Sequence, residues 1–375
     1  MANAKGKYGN PLVYRLAKLR RDRMRRRLAP LVAWDDRPLA DDAYTLVVGC
    51  RHDLMPMARS LCRFLQAQRR QHHAQTILVF DTTRNAEIDA FEAQVAADFP
   101  ELNVVVDCYS DEQLAVAEDY RLPWVYCWLS WAIAFRRATT RYVLIQDLDA
   151  YLLDPEILER SFSRIRDEGA QFLGDQFYHY NGLTEDDRVL ATWELMFDWG
   201  YVRERFPPID LFHRVGKVGA RRVDFDIMLY AQLQGGKRVK APLDRDGFVH
   251  PAQTVHEFTE MRRLGPAYPP NNWSILMIPY FFELGGDPKP MSDLTQSLFD
   301  SVPDDVPYFD SSLNLTKLVP GNRLDFLKVQ IERIEQHQSG QVRESVRDYL
   351  HALEVLARHN LQAAAPSAVS NTAVG

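Results

Sequence analysis

Arg141-Tyr-Val-Leu-Ile-Gln-Asp-Leu-Asp-Ala-Tyr-Leu-Leu-Asp-Pro155 decides how the rest of the chain is read. Tyr142 to Ile145 is apolar and rich in β-branched residues, the pattern of a strand buried on both faces. The run ends in Asp147-Leu148-Asp149. Extended side chains alternate, so both carboxylates leave the strand end together while Leu148 points back into the core. Such a pair suits Mg²⁺ or Mn²⁺, hard cations that take oxygen ligands and are commonly shared between carboxylates and a substrate's phosphates. Ligands of open α/β sheets sit at the carboxyl ends of strands, where this motif lies. Two solvated aspartates in a loop are the plain alternative for so short a motif. The position after a buried strand in mid-chain weighs against it.

Upstream, strand and helix patterns alternate. Tyr44 to Cys50 reads as a strand, Arg51-His52-Asp53 as a loop, Met55 to Arg70 as a helix, and Thr76 to Phe80 as a second strand closed by Asp81. Ala86 to Phe99 follows as a helix, Asn103 to Asp107 as a third strand, and Pro123 to Ala138 as the helix feeding the organising strand. Strand, helix, strand in this order builds right-handed parallel units, so the first 150 residues predict four parallel strands. No Gly-x-Gly-x-x-Gly and no Gly-Lys-Ser/Thr loop follows any of them, which argues against dinucleotide oxidoreductases and P-loop NTPases. A metal is then left to hold phosphates.

Downstream of Pro155 a helix is expected to about Glu168, then a strand Gln171 to Gly174. Phe177, Tyr178, Tyr180, Trp193, Phe197, Trp199 and Tyr201 form an aromatic-dense section; such rings stack on sugars, although most are expected in the core. Asp224 and Asp226 precede a helical pattern stopped by Gly235-Gly236, so they read either as acids of a site or as first-turn caps. His250 and His256 follow a strand at Lys237 to Ala241 as candidate metal ligands. The Pro-, Gly- and Asn-rich stretch 265 to 323 predicts irregular covering segments. Leu324 to Asn360 shows helical spacing in two pieces split at Ser339-Gly340, and the small polar tail predicts disorder.

The chain has 375 residues, 45 Lys plus Arg against 51 Asp plus Glu, and a net charge of −6, which excludes a nucleic-acid coat. Its four cysteines, Cys50, Cys62, Cys108 and Cys127, show no Cys-x-x-Cys pairing and no secretory leader is read, so reduced, cytosolic thiols are expected. No apolar run reaches the about 20 residues a membrane span needs. The basic stretch Arg15 to Arg27, with Leu12, Leu16 and Leu19 on one helical face, reads as a peripheral contact with the inner membrane leaflet through residues 12 to 34. An arm that is solvated, or packed on acidic surface of its own protein, is the other reading.

From Tyr44 to His256 the chain resembles the glycosyltransferase A-fold enzymes, which use nucleotide-sugar donors and an Asp-x-Asp motif. The pieces that match are Leu46-Val-Val-Gly-Cys50, the second strand ending at Asp81, Trp128 to Ala138, Tyr142 to Asp149, Val223-Asp224-Phe-Asp226, and the late His256. The resemblance implies an α/β fold with a mostly parallel sheet flanked by helices, plus a helical C-terminal extension. It implies that Asp81 binds the donor base beside Arg51, and that Asp147 and Asp149 bind the donor and a divalent cation, Mn²⁺ or Mg²⁺. His256, somewhat better matched than His250, completes the metal site. Asp224 or Asp226 takes the acceptor's proton, with Asp224 preferred; Val223 stands where inverting members carry Glu, which leaves inversion against retention open.

The expectation is thus a hexosyltransferase-type enzyme passing a sugar from a nucleotide-diphosphate sugar to a glycan or lipid-linked hydroxyl in polysaccharide or glycoconjugate synthesis. Its plan is a basic N-terminal arm over 1–40, a catalytic domain over 41–265, an irregular covering segment over 266–323, C-terminal helices over 324–360 and a disordered tail over 361–375. Two rivals stand beside it. A haloacid-dehalogenase-like phosphatase also has Asp-x-Asp after a buried strand, but carries a hydroxyl residue where this chain has Tyr151. A carbohydrate-binding protein of the same fold would bind without turnover.

Overall fold

The computed structural model describes residues 6–265, 268, 270, 273–300, 305–314 and 322–364. These fall into two compact units, Met1–Phe248 and Val249–Gly375.

The first unit opens with helix α1 (Pro11–Leu28), capped by the Asn10 side chain, which accepts from Leu12 N. Strand β1 (Ala40–Cys50) leads into α2 (Met55–Gln66), and β2 (His73–Phe80) into α3 (Ala86–Asp98). After β3 (Val104–Cys108), a capping box between Ser110 and Gln113 starts α4 (Asp111–Tyr120), a helix absent from the sequence expectation. Helix α5 (Pro123–Arg137) then feeds β4 (Thr140–Gln146). The rest of the unit comprises β5 (Tyr151–Leu152), α6 (Ile157–Asp167), β6 (Phe172–Gly174), β7 (Glu194–Asp198), α7 (Trp199–Arg205), the hairpin of β8 (Arg214–Val218) and β9 (Arg221–Phe225), α8 (Leu229–Leu233) and β10 (Arg238–Lys240).

Seven of these strands form one sheet in the order β10-β6-β7-β4-β1-β2-β3. The four strands expected to run parallel do so, with Val47 of β1 registered against Ile77 on one side and Ile145 on the other. Strand β7, within the aromatic-dense section and without a strand pattern of its own, enters antiparallel between β4 and β6. The result is the α/β, mostly parallel sheet flanked by helices that the resemblance implied.

Period-two alternation explains how both faces are covered. Val47, Ile77, Val79, Val143 and Ile145 join Trp128, Leu129, Ala132 and Phe135 of α5 in one core. Close approach is needed at Gly49, where a Cβ would stand 3.1 Å from Ser130 Cβ of α5. On the opposite face, Tyr44 and Tyr142 pack on Phe162 of α6 at 5.4 and 5.5 Å, and Phe80 on Phe91 of α3 at 5.2 Å.

In the second unit, α9 (Thr254–Leu264), α10 (Met277–Gly285), α11 (Lys289–Asp300), the hairpin of Asp305–Tyr308 with Ser311–Asn314, α12 (Asn322–Ser339) and α13 (Glu344–Ala364) surround a core of Trp273, Tyr280, Leu294, Tyr308 and Tyr349. The described part of 266–323 is therefore largely regular, not the irregular covering expected. Its prolines and glycines punctuate helices instead of breaking them: Pro279 and Pro290 stand in first turns, and Gly286 closes α10 at φ 96°. The split expected at Ser339-Gly340 separates α12 from α13. Residues 361–364, expected in the disordered tail, continue α13, and the rest of that tail lies outside the described residues.

Candidate active site

Asp147 and Asp149 stand where β4 ends, but the geometry that gathers them is a turn and not the pleat. Ala150 N donates to Asp147 O at 3.1 Å, and the buried Gln146 amide donates across the turn to Ala150 O at 2.7 Å. Asp147 N is tied to Trp193 O at 3.2 Å. Leu148 is buried, as expected; Asp149 is also buried, while Asp147 is half-buried.

Asp81, at the end of β2, belongs to the same carboxyl edge of the sheet because β1 pairs in parallel with both β2 and β4. The Asp81 carboxylate is buried and accepts from His52 N at 2.8 Å and lies 2.9 Å from His52 Nδ1. Arg51 Nη1 lies 3.8 Å from Asp81, while the Arg51 guanidinium also grips Asp53 in a fork at 2.8 and 2.9 Å. The Asp81 hydrogen bond holds the exposed His52 imidazole above its ordinary pKa. His52 is thus part of the Asp81 site, a role the sequence did not signal.

Glu194, the residue of β7 paired with Gln146, brings another acid to this edge. It is buried, neither carboxylate oxygen has a hydrogen-bond partner, and burial, then Asp175 and Asp147, drive its pKa well above the usual range. A buried carboxyl without a cationic partner stays protonated. A cation held at Asp147 would oppose that push, because a bound ion is the largest local charge in such a site.

Asp224 is not the helix cap considered from sequence. It lies on β9 of the hairpin, and the helix starts only at Leu229. Asp224 Oδ2 accepts from Tyr8 OH at 2.9 Å and lies 3.6 Å from Arg21, whereas Asp224 Oδ1 is buried with no partner. The N-terminal segment is strapped to this hairpin: Lys7 N donates to Arg222 O at 2.8 Å, and Arg222 donates to Tyr8 O and Gly9 O at 3.0 Å. Asp226 follows the strand against His213, with Ile227 N donating to Asp226 Oδ1 at 2.8 Å. Burial pushes the Asp226 carboxyl up, but His213, the Ile227 amide and Arg21 outweigh it and hold it low. Asp147 and Asp226 both act on the thiol of half-buried Cys127, which desolvation first and their charges second push up.

The two histidines differ in setting. His250 follows the strand Phe248–Val249, whereas His256, the residue the resemblance favoured, is exposed on α9. Of the aromatics, Phe197, Trp199 and Trp193 are buried and Tyr180 is exposed.

No protein-family model matches the sequence, and no curated protein does. Among solved structures the chain is similar to a mannosyltransferase, PcManGT from Pyrobaculum calidifontis, in complex with GDP-Man and Mn²⁺, at 12% identity over 94% of this chain and 98% of that one, TM-score 0.37. It is similar to S. aureus TarS 1-349 at 11% identity over 86% and 92%, TM-score 0.37, and to LgtC at 11% over 43% and 60%, TM-score 0.33. At such identities and scores the likeness transfers no residue role to this chain.

Proposed function

We propose that the chain is a metal-dependent glycosyltransferase that moves a sugar from a nucleotide-diphosphate sugar to a hydroxyl of a glycan or lipid-linked acceptor, in polysaccharide or glycoconjugate synthesis. The observation that carries this is the gathering of Asp81, Asp147, Asp149 and Glu194 along one carboxyl edge of a mostly parallel sheet. In this reading Asp147 and Asp149 hold Mn²⁺ or Mg²⁺, hard cations suited to carboxylate oxygens. The ion supplies charge stabilisation to the leaving diphosphate.

The chain's own side chains do the rest. Asp81, steadied by His52 and Arg51, receives the donor base. Asp224 takes the acceptor proton on Oδ1, while Tyr8 and Arg21 fix Oδ2. Asp226 is held by His213 and keeps that edge anionic. The phosphatase rival gains no support: the Tyr151 hydroxyl, two residues after Asp149, is buried against Ser60 Oγ at 2.7 Å and is not turned to a substrate.

The reading is tested by incubating the protein with UDP- and GDP-sugars, with Mn²⁺ or with EDTA, and measuring nucleotide release. Metal-dependent release from one donor class is expected. Binding of the nucleotide without release on any acceptor would favour the carbohydrate-binding alternative. No helix among the described residues is long and apolar enough to cross a membrane. We place the protein on the cytoplasmic side, peripheral to the inner membrane.

A further inference from the structure

Helix α1 has two faces of opposite fate. Tyr14, Ala17, Arg21, Met24, Arg25 and Leu28, at three- and four-residue spacing, turn toward the protein; Met24 and Leu28 are buried in its core, and Arg25 reaches Asp210 at 2.6 Å. That settles the fate of the inner face. The outer face keeps Leu12, Leu16 and Leu19 exposed at 62%, 59% and 63% of their surface.

Helical geometry at about 100° per residue puts these leucines opposite the docked face, and puts Arg23 and Arg26 in line behind them with Arg15 and Arg20 at the borders. Among the described residues, Arg15, Arg20, Arg23 and Arg26 are exposed and have no ion pair, whereas Lys18 is paired with Asp22 and Arg27 with Asp119. A row of bare leucines edged by unneutralised arginines, on a chain of net charge −6, is matched by a surface that is apolar just below an anionic layer.

We propose that the outer face of α1 lies flat on an anionic lipid bilayer, with Leu12, Leu16 and Leu19 entering the headgroup boundary and Arg15, Arg20, Arg23 and Arg26 on the lipid charges. Just beyond the helix Leu31 and Val32 are core, so the contact expected over 12–34 narrows to the helix itself. The inner face of the same helix carries Arg21 to Asp224. Resting on the functional reading above, the docked helix therefore sets the proton-accepting side of the site beside the bilayer, where a lipid-linked acceptor resides.

The test is flotation of the full chain with vesicles of phosphatidylcholine alone or with roughly a third phosphatidylglycerol. The wild type should float only with the anionic vesicles and be released by high salt. Leu12→Gln/Leu16→Gln/Leu19→Gln should lower the partition at least tenfold, and each Arg→Gln at 15, 20, 23 or 26 about fivefold. These side chains touch nothing in the site, so thermal melts and nucleotide binding should not change. Failure of the wild type to float, equal flotation with both vesicles, or a triple variant that floats like wild type overturns the proposal. A wild-type dimer in light scattering that the triple variant disperses, without flotation, overturns it by assigning the face to a second copy. Flotation without nucleotide binding supports the docking face and sinks the transferase reading.

Discussion

Glu335 in the second unit and Glu194 in the first are both buried glutamates, yet their surroundings are opposite. Glu335 accepts from Tyr280 OH at 3.0 Å, from Arg343 N at 3.0 Å and from the Arg343 guanidinium at 2.8 and 2.9 Å. Burial pushes its carboxyl up, but the Arg343 hydrogen bonds and charge prevail and hold it below the usual range. Glu194 has no partner for either oxygen and is driven up by burial and by two neighbouring acids. Burial alone therefore does not say what an acid is for; its partners do. Glu335 belongs to a closed network that joins α10, α12 and the start of α13, whereas Glu194 stands at a strand end where Asp175 and Asp147 add to the push of burial.

The comparison breaks most visibly by mutation of the satisfied acid. Glu335→Ala removes the acceptor shared by Tyr280 and Arg343 while Arg343 keeps Glu283 at 3.0 Å, and should cost about 2–3 kcal/mol in urea unfolding. A loss under 1 kcal/mol would erase the distinction. Next in size is the effect of Asp224→Asn, expected to slow turnover about a hundredfold while stability changes by less than about 1 kcal/mol; unaltered turnover would remove Asp224 as the base.

The pH dependence separates the two signs of shift. Because the folded pKa of Glu335 is depressed, its contribution is complete above the ordinary glutamate range and is lost as pH falls toward the lower folded value. His52 has a raised folded pKa, so its contribution is complete below about 6.5 and disappears as pH rises through the folded value. Melts of Glu335→Gln and His52→Gln against wild type should therefore converge with it at opposite ends of the scale. Smallest of all is Glu194→Gln: a carboxyl already protonated loses no charge, so the expected cost is under about 1 kcal/mol. A loss as large as that of Glu335→Ala would show that Glu194 is ionised and partnered.

What the sequence exposed was periodic. The apolar run before Asp147 and the alternation of strand and helix patterns located four parallel strands and the acids at their ends. The pleat suggests how Asp147 and Asp149 leave the strand together, whereas a turn closed by Gln146 follows β4 there. Strand β7 stayed hidden because five residues with an acid at each end carry no period to speak of, and Glu194 was hidden with it. Tyr8 and Asp224 lie 216 residues apart, so no local pattern could announce their hydrogen bond. Prolines at first turns of helices give 266–323 the composition of a loop, since composition cannot tell where in a helix a proline falls.

The central claim is that Asp147 and Asp149 bind a nucleotide through a divalent cation. Calorimetric titration of UDP and of GDP, with and without Mn²⁺, into the wild type and Asp149→Ala tests it most directly. The account predicts that one nucleotide binds only with Mn²⁺ and that Asp149→Ala abolishes the heat; binding that ignores both the metal and the substitution, or no binding at all, would contradict it.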